Sequence, residues 1–194
     1  MNYTKFSTEQ ITDWLKKNLT EKRYLHSLGT AQCARDLARK FGQDEEKAYI
    51  AGLLHDCAKC FPDNKLFEII SKNLKVDPIE TMSNKTLHAP VGAYMAQTEF
   101  GVEDEEIISS IRWHTLGKLN MTTFEKIIFL ADKIEPLTRD KDYLLEAKRY
   151  IEEENNLDKA MFESYKETIK SLVERELRIC PLTIDIYNHL LNVN

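Results

Sequence analysis

The chain has 194 residues, of which 42% are hydrophobic and 30% charged, and its formal net charge is -5. That length is enough for one domain with a buried core, and the composition is neither disordered nor membrane-spanning. The acidic balance argues against sequence-independent nucleic-acid binding, which needs a basic face, but leaves room for a local basic pocket around a small phosphorylated ligand.

The punctuation along the chain is helical. "STEQITDWLKKNL" sets Ser7 three residues before Gln10, a capping-box spacing, with Ile11, Trp14 and Leu15 on one face. "TEKRYLHSLGTAQCARDLARKFG" runs from a Thr20 cap to Gly42 as a helix end. "DEEKAYIAGLLHDCAKC" opens on acids and is then apolar nearly all round, which predicts a central buried helix stopped by Pro62. A short helix at "KLFEII" and a polar loop follow to residue 87, then a helix from about Pro90 to Phe100 closed by Gly101. "EDEEIISSIRWH" predicts the next helix, and "TTFEKIIFLADKI" another, with Thr122 and Glu125 at capping-box spacing and Pro136 beyond its end. Helices near 141–153 and 157–179, and a short one at "IDIYNHLL" after Pro181, complete the chain. No stretch alternates like a strand for more than a few residues, so the expected fold class is all-α.

No apolar run reaches the roughly 18–20 residues of a membrane span, and "MNYTKFSTEQ" lacks the basic-then-apolar layout of a signal peptide. The expectation is a cytoplasmic protein with no membrane partner. Its four cysteines, Cys33, Cys57, Cys60 and Cys180, are then reduced thiols. Cys57 and Cys60 have C-x-x-C spacing, but a thiolate zinc site needs a second pair and a redox pair belongs in a βαβ context. Neither exists here, so these thiols read as packing residues beside a more interesting pair, His55 and Asp56.

Five histidines occur, and four keep particular company. His26 lies one turn after Arg23, His55 precedes Asp56 at the end of the apolar helix, His88 stands near a helix start, and His114 stands at a helix end. Asp132 lies inside "IIFLADKI", where a lone carboxylate is costly unless paired or bound to metal. His189 reads as an ordinary structural histidine. Six ligands are more than one catalytic ion wants and suit two ions if a carboxylate bridges, with Asp56 the natural bridge. Oxygen and imidazole donors without thiolate favour iron(II), manganese or another first-row divalent metal.

The order His26, His55-Asp56, His88, His114, Asp132 resembles the HD-domain metal-dependent phosphohydrolase superfamily. "RYLHSLGT", "AGLLHDCAK", "HAPVGA", "IRWHTLGKLNMTTFEKIIFLADKIEP" and "PLTIDIYNHLL" resemble, more narrowly, the bacterial YqeK family. The resemblance spans about residues 9–192 and implies one HD domain over residues 1–194. Its metal-site core would cover about 20–136, and its C-terminal helices about 141–192. It also implies a di-iron-type centre and symmetrical hydrolysis of diadenosine tetraphosphate to two ADP. His26, His55, Asp56 and Asp132 would hold one ion, and His88 and His114, with Asp56, the other. Lys133 stands where the family often has Tyr.

Two cations sharing a water would give hydroxide at neutral pH, so Asp56 would orient the nucleophile and Lys59, one turn on, would stabilise phosphoryl charge. Arg23, Lys59, Thr115, Lys118 and Arg139 are the candidate substrate contacts. A nucleotidase acting on mononucleotides is the alternative within the same chemistry, and a non-catalytic metal or nucleotide sensor the alternative outside it. A small-molecule nucleotide is the expected partner, with self-association as a homodimer through a helical face.

Overall fold

The elements follow from local chemistry more closely than from length. In the computed structural model, which describes residues 3–193, ten α-helices form a bundle with no strand among the described residues. They are α1 (Thr8–Asn18), α2 (Glu21–Lys40), α3 (Glu45–Leu54), α4 (Asp63–Asn73), α5 (His88–Thr98), α6 (Glu105–Trp113), α7 (Thr123–Ile134), α8 (Leu145–Glu153), α9 (Leu157–Glu174) and α10 (Pro181–Val193). Both expected capping boxes form, at Ser7/Gln10 and at Thr122/Glu125, and Thr20 and Asp44 cap α2 and α3.

Several boundaries differ from the sequence reading. Regular helix in α3 stops at Leu54 rather than running to Cys60. The chain turns through His55 and Asp56 and re-enters a 3-10 turn at Cys57–Cys60. α5 begins at His88, so Pro90 lies in its first turn, where a missing N–H breaks no helical bond. α4 is longer than "KLFEII", and a 3-10 turn at Pro78–Thr81 interrupts the loop after it. α8 starts only at Leu145 because Leu144 adopts a left-handed φ of 56°. α9 stops at Glu174, with Glu176 left-handed beyond it, and Pro181 opens α10 rather than merely preceding it.

α2, α3 and α7 form the centre of the bundle, with α6 against α3 and α7, α5 against α6, and α9 linking α7 to α8 and α10. Phe100, Phe124, Phe129, Leu53, Leu54 and Ile127 are among the largest fully buried side chains. α2 and α3 approach so closely that a Cβ on Gly52 would lie 2.6 Å from the Ala31 Cα. This contact brings the C-terminal end of α3, with His55, beside His26 on α2. No helix among the described residues is long and apolar enough to cross a membrane.

Candidate metal centre

Five segments deliver the candidate ligands to one buried spot. His26 comes from the second turn of α2, His55 and Asp56 from the turn after α3, His88 from the first residue of α5, His114 from the end of α6, and Asp132 from the last turn of α7. All four imidazoles are buried and Asp56 is 1% exposed. They divide into two triads, His26–His55–Asp56 and Asp56–His88–His114, each with its donor atoms within 4.8 Å of one another. Asp56 belongs to both. Asp132 adjoins the first, its Oδ1 lying 2.9 Å from His26 Nε2 and 3.7 Å from His55 Nε2.

The hydrogen bonds behind the rings decide what the rings can do. His55 Nδ1 lies 2.6 Å from the Gly52 carbonyl and His114 Nδ1 2.7 Å from the Ile111 carbonyl, one turn back in each case. A carbonyl can only accept, so both rings carry a proton on Nδ1 and turn Nε2 inward. His26 lies between two carboxylates, its Nδ1 3.0 Å from Glu135 Oε1 and its Nε2 2.9 Å from Asp132 Oδ1, and takes the same tautomer when Nε2 serves as a ligand. Yet His26 Nε2 faces His55 Nε2 at 3.3 Å, and His88 Nε2 faces His114 Nε2 at 3.1 Å. Each of these contacts needs a proton or a cation between its two nitrogens.

Asp56 poses the same problem in anionic form. Both of its oxygens are buried without a well-formed hydrogen bond, although Lys59 Nζ lies 3.0 Å and Arg23 Nη1 3.7 Å from Oδ2. Oδ1 lies 3.3 Å from His88 Nε2 and 3.4 Å from His114 Nε2. An orphaned buried carboxylate ringed by inward-facing imidazole nitrogens is a donor set that divalent cations complete. The two triads therefore form a site suited to a binuclear divalent centre.

Electrostatics sort the two sides. Burial opposes charge on Asp56, but the neighbouring His55 and the Lys59 ammonium hold it well below the usual carboxylate range. Asp132 is also held well below that range, because Lys133, His26 and His55 outweigh its burial. Burial lowers His88, and pushes His114 down to about 4, so both stay neutral at pH 7. Burial acts against charge on His55 too, but Asp56 and Asp132 outweigh it and raise its pKa.

The candidate substrate contacts are not gathered equally. Lys59 and Arg23 lean on Asp56, as above. Arg139 reaches back to Asp132, Nη2 to Oδ1 at 2.8 Å, and Thr115 Oγ1 lies 3.2 Å and 3.0 Å from the Nε2 atoms of His88 and His114. Lys118 is engaged elsewhere, 2.7 Å from the buried Glu125 and 3.0 Å from Ser109 Oγ. The thiol of Cys57 is buried and turned toward the Gly92 carbonyl, and burial pushes its pKa up, so it stays protonated.

Three residues escaped the sequence reading as parts of this site. Glu135 is fully buried and accepts from His26, from the Leu137 and Thr138 backbone N–H groups, and from the Thr138 hydroxyl. Gly29, on α2, lies against it, and a Cβ there would overlap Glu135 Oε2. The glycine was the available signal, since an isolated Gly within a helix costs about 1 kcal/mol relative to Ala and asks for a packing reason. Lys133, seen only as a departure from the family pattern, points its Nζ at Asp132 Oδ2 (3.5 Å) and the His114 carbonyl (3.3 Å).

Known proteins resemble this chain closely. The HD domain family pattern matches residues 23–137. A symmetrical bis(5'-nucleosyl)-tetraphosphatase of Halalkalibacterium halodurans is 39% identical over 177 residues, covering 91% of this chain and 93% of that protein. Its Bacillus subtilis counterpart is 38% identical over 184 residues, 95% of this chain and 97% of that one. A crystal structure from Clostridium acetobutylicum, described as a predicted HD superfamily hydrolase involved in NAD metabolism, superposes with a TM-score of 0.89 at 37% identity. It covers 97% of this chain and 99% of that one.

Proposed function

The chain belongs to the HD-domain family, in its symmetrical dinucleoside-tetraphosphate hydrolase branch, and from that premise we propose how its own residues carry the reaction. It is a metal-dependent hydrolase acting on dinucleoside polyphosphates. The reaction we assign is diadenosine tetraphosphate plus water giving two ADP, by cleavage of the central phosphoanhydride. The observation that carries this reading is Asp56, a buried carboxylate common to two triads and lacking a well-formed hydrogen bond.

In this reading His26, His55, Asp56 and Asp132 hold one ion, and His88, His114 and Asp56 the other. Divalent ions, when bound, acidify water to a nucleophile at neutral pH and offset phosphoryl charge. Iron is the metal we assign, supported by oxygen and imidazole donors and by a Cys57 thiol turned away to Gly92. Asp56 would orient the attacking water, and Lys59, whose Nζ lies 3.0 Å from Asp56 Oδ2, would face the phosphoryl group. The leaving group is the terminal phosphate of ADP, whose last ionisation lies near pH 6, so it departs as an anion without a general acid. What the chain must supply is positive charge, and Arg23, Lys59 and Arg139 supply it. Thr115 Oγ1, 3.2 Å from His88 Nε2, would donate to a phosphoryl oxygen. Lys118, held by Glu125, would have to break that pair to reach substrate. Contacts of α9 with α7 support reading residues 1–194 as one domain, and we assign the enzyme to the cytoplasm.

The test is product identity. Protein purified without oxygen, analysed for metal and incubated with diadenosine tetraphosphate is expected to release ADP alone. Orthophosphate from mononucleotides with no ADP from the dinucleotide would overturn the assignment in favour of a nucleotidase.

A further inference from the structure

We propose that Lys133 is a positioning residue that braces the two metal halves against each other and does not touch the phosphate chain; this rests on the hydrolase reading above. It follows Asp132 on α7, and its side chain is 14% exposed. The charges of Arg139 and Lys59 both reach it, so it sits among the cations assigned to substrate. Its contacts separate it from them.

An ammonium has three N–H donors. Those of Lys133 meet three protein acceptors: the Phe129 carbonyl at 3.5 Å, the His114 carbonyl at 3.3 Å and Asp132 Oδ2 at 3.5 Å. The Phe129 ring lies against the same nitrogen, 3.5 Å from Nζ to its centroid. Lys59 and Arg139 are more open, with side chains 26% and 38% exposed. Each acceptor has its own consequence. Phe129 lies one turn back on α7, so that contact holds Nζ to its own helix. The His114 carbonyl lies just past the last turn of α6, where carbonyls lack helical partners and a cation is favoured. Asp132 divides its oxygens: Oδ1 faces His26 at 2.9 Å and His55 at 3.7 Å, while Oδ2 faces Lys133. One side chain thereby joins the helix that ends on His114 to the carboxylate of the opposite half, and leaves that carboxylate one oxygen for an ion. A cation serving only as charge would instead compete with the ion for Asp132.

In the test, chelator-treated full-length chain is titrated with manganese alone by calorimetry, and kcat and KM for diadenosine tetraphosphate are measured at saturating manganese. Lys133→Met keeps the apolar stem and removes donors and charge. It is expected to weaken manganese binding at the His26–Asp132 half roughly tenfold. There kcat should fall while KM stays within about twofold, the pattern of a group that adds no substrate binding. Lys133→Gln returns two donors without the charge, guards against misfolding, and should lose less of both. A KM raised about tenfold with manganese affinity intact makes Lys133 a phosphate contact, and a raised manganese affinity makes it a bare charge; either overturns the brace. So do two variants that both match wild type. If wild type releases no ADP, the hydrolase reading falls, and the manganese titration still decides the brace.

Discussion

The half of the centre around His26 and Asp132 and the half around His88 and His114 share Asp56 but are supported differently. The first is ionic. Of its two imidazoles His55 is backed by the Gly52 carbonyl but His26 by the Glu135 carboxylate, and its second carboxylate, Asp132, is flanked by Arg139 and Lys133. The second is neutral, with His114 backed by a main-chain carbonyl and both rings held uncharged by burial. A cation entering the first half replaces existing charge partners. One entering the second meets two uncharged imidazoles with one shared carboxylate. The two halves should therefore differ in metal affinity and in their response to mutation and pH.

The largest effect should come from removing what they share. Asp56→Ala is expected to lower kcat by at least about 10³-fold and to weaken both sites together. Metal analysis showing one site intact would mean that Asp56 is not common to them. Next, Glu135→Gln should weaken metal affinity by roughly 10–100-fold at the His26 half. All four groups facing the carboxylate are donors, so an amide NH₂ there must either open the 135–138 turn or reverse the His26 tautomer. Gly29→Ala should act in the same direction by displacing Glu135. Equal weakening of both sites in a two-site titration would erase the distinction between the halves.

Arg139→Gln should raise KM by about tenfold, the scale of one charge-assisted contact, and should alter the first site more than the second. For chelator-treated protein, acid should act through the neutral half. The unfolded chain takes a proton at His114 near pH 6.5, whereas the folded chain refuses it down to about pH 4. The unfolded state thus binds more protons across that window, and this group lowers stability as pH falls through it. His55 works oppositely, adding stability below pH 6.5 that is lost as pH rises through its raised value. Urea unfolding at pH 7 and pH 5 should show a smaller acid loss in His114→Gln than in wild type; identical losses would remove the assigned cause. The smallest effects belong to the thiols. Cys57→Ala and Cys60→Ala should each cost about 1 kcal/mol or less in stability, with metal stoichiometry unchanged.

The convergence of His26, His55, Asp56, His88, His114 and Asp132 was legible because titratable residues stood where apolar helices have no ordinary use for them. The helical bundle was legible for a similar reason, since Ser7, Thr20, Asp44 and Thr122 announce helix starts by capping chemistry that acts within four residues. What escaped depends on contacts between distant segments. Glu135 reads locally as an acid beside a proline, and only the approach of α2 turns it into the support of His26. Lys118 looks free until Glu125 is folded against it. The end of regular helix at Leu54 was hidden because "HDCAKC" carries no glycine or proline, and its turn is shaped by the centre it serves.

Gly29 and Glu135 also bear on how this protein can change through descent. The carboxylate occupies the volume that any side chain at residue 29 would need, and His26 depends on that carboxylate for its tautomer. Neither position can drift alone without passing through a chain whose first metal half is damaged. The two should be inherited as one character, and a lineage that grew a side chain at 29 would be expected to have found another partner for His26 first.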